Sequence, residues 1–259
     1  MLQDKPVRRP TPIQSANPRL FAEFVHQPED IREIQKLRYD VFCEEYNVKL
    51  PTSTYWKGHP VDADEIDDGC LHLVVRDGRT REAVGYTRVL TREQADRLGT
   101  FYSAHEFDID SVLALEGRIM EIGRTCIHPD YRNGATIAVL WSRIARFMQE
   151  NNYQYLFGCA SISLADGGAA FSGIMPDLRK NYMSEPDLRV HPRLPLKTQL
   201  QADETKPHLP PLLKAYMKMG ARVCGEACWD PEFNVADVLV VLNLEDVTNR
   251  YAKRFLKAS

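Results

Sequence analysis

The sequence predicts an α/β (α+β) fold, a mixed sheet flanked by helices, and three observations carry that expectation. Cys70–Arg76 and Glu82–Leu90 are apolar runs separated by Asp77-Gly78-Arg79, the turn chemistry of a hairpin. Arg118–His128, Ala135–Glu150 and Tyr153–Ser161 then read as strand, helix, strand. A chain of 259 residues, 44% of them apolar, is long enough to bury a full core, and one domain is expected over 19–245.

The elements follow in order. Residues 1–18 are proline-studded and predict a flexible arm. Arg19–His26 alternates like a strand. Glu29–Tyr46 is helical, with Ile31, Ile34, Val41 and Phe42 along one stripe. Leu50–Asp68 is a polar loop, and Thr91–Leu98 a short helix. Strand Arg118–His128 carries apolar residues on both faces, as a central strand covered by helices does. In Ala135–Glu150, residues Ile137, Leu140, Trp141, Ile144, Phe147 and Met148 recur at helical spacing. Residues 164–208 have weak periodicity and several prolines, and predict an insertion or lid. Leu209–Met219 is a helix, Ala221–Glu226 and Ala236–Leu244 are strands, and 246–259 is a basic amphipathic helix suited to an anionic membrane surface.

Composition excludes several functions. No run approaches the roughly 18 apolar residues of a membrane span, and the N-terminus lacks a secretory signal. A net charge of −3 argues against nucleic acid. The six cysteines lack metal-ligand spacing, so no metal is expected, and reduced thiols fit a cytoplasmic protein.

Chemistry concentrates around Met120–Ala135. Glu121 and Arg124 sit inside an apolar strand, where burial or a neighbouring cation shifts a carboxyl's titration. A bulge at Gly123 would let both project to one side; a structural ion pair, perhaps with Arg38, is the plainer alternative. The strand ends in the corner Arg132-Asn133-Gly134-Ala135, which opens a helix. Unpaired N–H groups there make a phosphate seat. Arg38 lies within the apolar stripe of its helix and must meet a carboxylate, line a polar pocket or snorkel. Tyr216 closes a helix before a strand, placed either as a proton donor or as a core tyrosine. Asp62, Asp64, Glu65, Asp67 and Asp68 form an acidic run, either solvated or receptive to a substrate amine.

The motifs Leu37-Arg38-Tyr39-Asp40-Val41-Phe42, Val84-Gly85-Tyr86-Thr87-Arg88-Val89-Leu90, Phe101-Tyr102-Ser103-Ala104-His105-Glu106-Phe107 and Glu121-Ile122-Gly123-Arg124-Thr125-Cys126-Ile127-His128-Pro129, in that order, resemble the acyl carrier protein-dependent N-acyltransferases of the GNAT superfamily, closest to the ornithine-lipid type. The resemblance covers roughly residues 20–245. It implies a sheet whose strands at Arg118–His128 and Tyr153–Ser161 splay to admit a pantetheine arm. It implies transfer of a 3-hydroxyacyl chain from acyl carrier protein to the α-amine of ornithine. The alternatives are another amine acceptor such as glycine or tyrosine, an acyl-homoserine-lactone synthase, or an inactive binding module.

Positions shared with acyl-homoserine-lactone synthases match Arg38, Phe42, Asp64, Asp68, Arg88, Glu121 and Arg124. Tyr216 matches the general-acid tyrosine of many acetyl-transferring GNATs, so Glu121, Arg124, Arg38 and Tyr216 are the implied catalytic set, and Phe42, Asp64, Asp68 and Arg88 the implied substrate contacts. Backbone N–H groups at Thr125, Cys126 and Ile127 would polarise the thioester, and Arg132, Asn133, Gly134 and Ala135 would seat the phosphate. That corner is shorter than the usual coenzyme A loop, which favours acyl-phosphopantetheine on the carrier over acyl-CoA; no tightly bound cofactor is implied. The basic insertion at Arg189, His191, Arg193 and Lys197 would dock the carrier.

Overall fold

The computed structural model describes residues 20–45, 48, 54–196 and 208–247. The expected arm over 1–18, most of the terminal helix and Lys197 lie outside the described residues. The strands are β1 (Leu20–Val25), β2 (Thr54–Trp56), β3 (His59–Val61), β4 (Leu71–Asp77), β5 (Ala83–Thr91), β6 (Phe107–Asp108), β7 (Arg118–Ile127), β8 (Tyr153–Ser163), β9 (His191–Pro192), β10 (Arg222–Val223), β11 (Cys228–Asp230) and β12 (Val235–Asn243). The α-helices are α1 (Pro28–Tyr39), α2 (Arg92–Leu98), α3 (Asp110–Leu113), α4 (Ala135–Glu150), α5 (Ala169–Asn181) and α6 (Pro211–Met219). The main sheet runs β1-β4-β5-β7-β8-β12-β10, with β11 also paired to β12. β7 and β8 are parallel; the other pairs are antiparallel.

Alternation along the strands sorts side chains onto two faces. Leu73, Val75, Met120 and Ile122 meet Leu140, Trp141, Ile144 and Met148 of α4. Val74, Tyr86 and Cys126 point the other way, onto Ile34, Leu37 and Val41. Each such aliphatic side chain, fully buried, contributes roughly 1.5–3 kcal/mol. α2 begins with a capping box between Thr91 and Gln94 and stops at Gly99, whose φ is +95°.

Three stretches differ from the sequence-based expectation. The helix read over Glu29–Tyr46 is α1 continued by a π-helical turn, Asp40–Glu45. The loop over Leu50–Asp68 contains the hairpin β2–β3, turned through Lys57 and Gly58 at φ +49° and +80°. Three-residue strands are too short for alternation to register. The irregular stretch over 164–208 contains α5, which buries Ile174, Met175 and Leu178; Pro176 inside that helix breaks the local pattern that would have announced it.

The feature that positions the site is a fork. β7 and β8 pair only from Arg118↔Tyr153 to Glu121↔Phe157, whereas β8 pairs with β12 as far as Ser163↔Val235. Past Glu121 the facing edges of β7 and β8 share no ladder. At the crotch, a Cβ on Gly158 would lie 2.3 Å from the carbonyl oxygen of Ile122, so only glycine lets the backbones approach there.

Candidate active site

Glu121 is the last β7 residue paired with β8, and it is buried. Across β5 it faces Leu90; Gly123 faces Arg88, and Cys126 faces Tyr86. One extra residue therefore lies on β7 between Gly123 and Cys126. The expected bulge is present, with Arg124 rather than Gly123 in the left-handed region at φ +51°.

Both oxygens of Glu121 are gripped by the turn Tyr102–His105. The N–H groups of Tyr102 and Ser103 donate at 2.8 and 2.7 Å, and the Ser103 hydroxyl donates as well. Burial pushes the Glu121 carboxyl above its ordinary range, against these donors and the charge of Arg88. A carboxylate offers about four acceptor positions, so roughly one remains open.

Asp62, Asp64 and Asp67 of the acidic run are held by two arginines. Arg38, 0% exposed, donates bidentately to Asp62 at 2.9 and 2.8 Å and to Asp67 at 2.6 Å. Arg88 donates to both oxygens of Asp64 at 2.7 Å and to Asp67 at 3.2 Å. Burial opposes ionisation of Asp67, but the guanidinium groups of Arg38 and Arg88 outweigh it and hold the carboxyl at about 2. Arg38 thus meets carboxylates, as a buried guanidinium must, but its partners are Asp62 and Asp67, not Glu121. Asp68, by contrast, is exposed and stands apart from this network.

Arg124 is held differently. Its guanidinium lies 3.6 Å from Asp62 and Asp64, beyond good hydrogen-bonding distance. It covers the rings of Phe233 at 4.6 Å and Tyr102 at 5.6 Å. Phe42 meets Phe233 edge-on at 5.9 Å, which brings the π-helical turn into the same wall.

Near Tyr102, Glu106, Asp230 and Asp237 gather with carboxyl oxygens within 4.8 Å of one another. Burial, then the charge of Asp237, pushes Glu106 up to about 8. Burial likewise pushes Asp237 up to about 7, against a 2.6 Å hydrogen bond from Ser161.

Known proteins resemble this chain. A family model described as an acetyltransferase (GNAT) domain matches residues 37–142. The L-ornithine N(alpha)-acyltransferase of Rhodobacter capsulatus is 30% identical over 88% of this chain and 92% of its own. The enzyme of the same name from Agrobacterium fabrum is 32% identical over 86% of this chain and 80% of its own. This chain belongs to the L-ornithine N(alpha)-acyltransferase family. The fold of this acyltransferase is shared with a CoA-dependent acyl-homoserine lactone synthase, BjaI, solved with SAM and isopentyl-CoA. There the TM-score is 0.54 at 14% identity, over 94% of this chain and 92% of that one.

The other residues singled out in the acyltransferase sequence lie around the fork. The Thr125 hydroxyl bonds to that of Thr87 at 2.8 Å. Cys126 is core, its thiol pushed by burial to about 12. The Ile127 carbonyl accepts from Arg132 Nε at 3.0 Å, and Arg132 pairs bidentately with Glu45. At the phosphate corner Asn133 takes the N–H of Ala135 at 3.0 Å, and Gly134 caps α4 at φ +86°. Tyr216 is buried edge-on against Trp141 at 5.0 Å; burial, then the charges of Cys159 and Glu121, pushes its phenol upward and keeps it protonated.

Ser103, Glu106, Asp237, Asp62 and Asp67 were not singled out individually in the acyltransferase sequence. Asp237 had a signal, a lone acid inside the apolar run Val235–Leu242. Ser103 and Glu106 lie within the motif Phe101–Phe107, but nothing local marked them out from it, because their partners are brought by the fold. Among the described residues, no helix of the acyltransferase is long and apolar enough to cross a membrane.

Proposed function

We propose that this acyltransferase moves a 3-hydroxyacyl chain from the phosphopantetheine thioester of acyl carrier protein to the α-amine of L-ornithine, forming the lyso form of an ornithine lipid. The observation that carries this reading is the fork in a member of this family: parallel strands that part beside a buried glutamate, leaving a slot with unladdered backbone on both sides.

In this reading the pantetheine arm lies in the slot, its phosphate at Arg132–Ala135, and N–H groups of Thr125–Ile127 polarise the thioester carbonyl. Glu121 takes the proton from the substrate ammonium, directly or through a water, at its open acceptor position. The free amine attacks the thioester carbon, the C–N bond forms, and the C–S bond breaks. The departing sulfur takes a proton from Tyr216, whose phenol is restored by the remaining N–H proton of the tetrahedral adduct as it collapses to the amide. Proximity does the rest, because a deprotonated amine held close needs no covalent enzyme intermediate. Arg124 receives the substrate carboxylate. Arg38 and Arg88 are positioning residues that hold the acidic loop.

The carrier docks beside Arg189 and Arg193. Arg193 donates from its backbone N–H to the Glu106 carbonyl at 2.7 Å, so this basic segment adjoins the turn that holds Glu121. The cytoplasmic face of an anionic membrane is the surface that the basic segment 246–259 suits.

The purified chain, given 3-hydroxyacyl carrier protein and a panel of amino acids, tests the proposal by mass spectrometry of the products. N-acyl-ornithine is expected to dominate. Preferential acylation of glycine or tyrosine, or transfer only from acyl-CoA, overturns the corresponding part of it.

A further inference from the structure

The turn that grips Glu121 is itself held by a residue far along the chain. Its start is anchored by Phe101, buried edge-on against Phe157 at 5.0 Å. Its N–H groups at Tyr102 and Ser103 are directed to Glu121. Within the turn, the Ala104 N–H donates to the Phe101 carbonyl at 3.2 Å and the Glu106 N–H to the Ser103 carbonyl at 3.1 Å. The carbonyls of Ala104 and Glu106 remain for partners outside it.

Arg193 takes both. Its backbone N–H donates to the Glu106 carbonyl at 2.7 Å. Its guanidinium Nε donates to the Ala104 carbonyl, also at 2.7 Å, across 89 residues of sequence. Arg193 follows β9, which pairs with Phe107 and Asp108 of β6, so the backbone of this segment runs alongside the end of the turn. A cation on the carbonyl side of a turn and an anion on its N–H side polarise the peptide groups between them in the same sense. The guanidinium thereby strengthens the donors that face Glu121 and fixes their direction.

We infer that Arg193 is a positioning residue for the reaction: it clamps the turn Tyr102–His105 from the exposed side, so that the N–H groups of the turn stay aimed at Glu121. The inference rests on the reading of Glu121 as the base and deepens it. The role is separable from carrier docking, because a clamp acts on the base and a docking residue acts on the encounter with the carrier. The groups on other elements that interact electrostatically with Glu121 are Arg88 on β5, Cys159 on β8, Tyr216 on α6 and Cys70 ahead of β4, with Glu106 following the turn. Among the described residues none of these side chains is hydrogen-bonded to Arg193, so its loss reaches Glu121 through the turn.

The test is a pH series of kcat/KM, with 3-hydroxyacyl carrier protein and ornithine, for the full chain and for Arg193→Ala, Arg193→Lys and Ser103→Ala. Both Arg193 variants keep the backbone bond to Glu106, so the turn stays attached. In Arg193→Ala the acid limb is expected to move up by on the order of one pH unit, because weaker donors leave the buried carboxyl less able to hold its charge. In Arg193→Lys the charge offered to the carrier returns, and the carrier KM with it. The limb stays displaced, since an ammonium does not replace the fixed planar Nε donor. Amide exchange at Ser103, read on the free protein, is expected to speed up by about tenfold in both. A higher carrier KM with an unmoved limb in Arg193→Ala, where Ser103→Ala does move it, overturns the inference and leaves Glu121 as the base. Unchanged exchange at Ser103 in both Arg193 variants overturns it as well. A limb that no variant moves sinks the reading of Glu121 as the base, and this inference with it.

Discussion

Ser103 holds Glu121 twice, through its N–H at 2.7 Å and through its hydroxyl. The carboxylate thus depends on a turn that lies outside its own strand. Ser103→Ala removes one charge-assisted donor and leaves the backbone bonds in place. The buried carboxyl, already raised, is then expected to rise further. The acid limb of the kcat/KM profile moves to higher pH, and stability falls by about 1–3 kcal/mol. A pH–rate series and a urea titration measure the two effects; an acid limb that stays where it was removes Glu121 from the proton-transfer step.

Arg38 is the keystone of the acidic loop. Arg38→Ala strands Asp62 and Asp67 in the interior without their principal cation, at an expected cost of about 3–5 kcal/mol. Arg38→Lys keeps the charge but cannot bond Asp62 through two parallel N–H groups, and should recover only part of that loss. Urea midpoints for the two variants, read beside the KM for the acceptor, check this. Equal stability of Arg38→Ala and the wild type would show that the loop does not depend on the guanidinium.

Much of the fold was legible because its signals are local. The hairpin turn at Asp77-Gly78-Arg79 and the helical stripe of α4 are each written in consecutive residues. Arg38 was legible as a buried charge, since its neighbours at helical spacing are apolar, but not its partners, which come from a loop 24 and 29 residues further on. The donors to Glu121 were illegible for a deeper reason: two of the three are backbone N–H groups, which any residue would provide. The bulge was foreseen at the glycine and fell on Arg124, while Gly123 stays paired opposite Arg88 in the ladder.

Gly158 marks the point where β7 and β8 begin to part. A methyl group there meets the Ile122 carbonyl oxygen at 2.3 Å, and the obstacle is backbone, which cannot swing aside. Gly158→Ala is expected to wedge the strands apart one step early, destabilising the protein by about 1–3 kcal/mol. The change also moves the N–H groups proposed to face the thioester, so kcat should fall more than the acceptor KM rises. Steady-state kinetics on the folded variant decide this; wild-type kcat would mean that the crotch of the fork does not set the geometry of transfer.

Glu106 and Asp237 make the stability of the free protein depend on pH. Their carboxyls stand at about 8 and about 7, raised from ordinary values of 4.5 and 3.8, first by burial and also by nearby negative charge. Both bind their protons more tightly folded than unfolded. The stability they contribute is therefore complete below the unfolded values and is lost as pH rises through the folded ones. Between pH 6.5 and 8.5 the melting temperature of the acceptor-free protein is expected to fall, and Glu106→Gln, which cannot ionise, should flatten that fall. Thermal melts of the wild type and Glu106→Gln across that window provide the readout. A wild type and Glu106→Gln that melt in parallel would mean that the pair ionises as freely in the folded protein as in water.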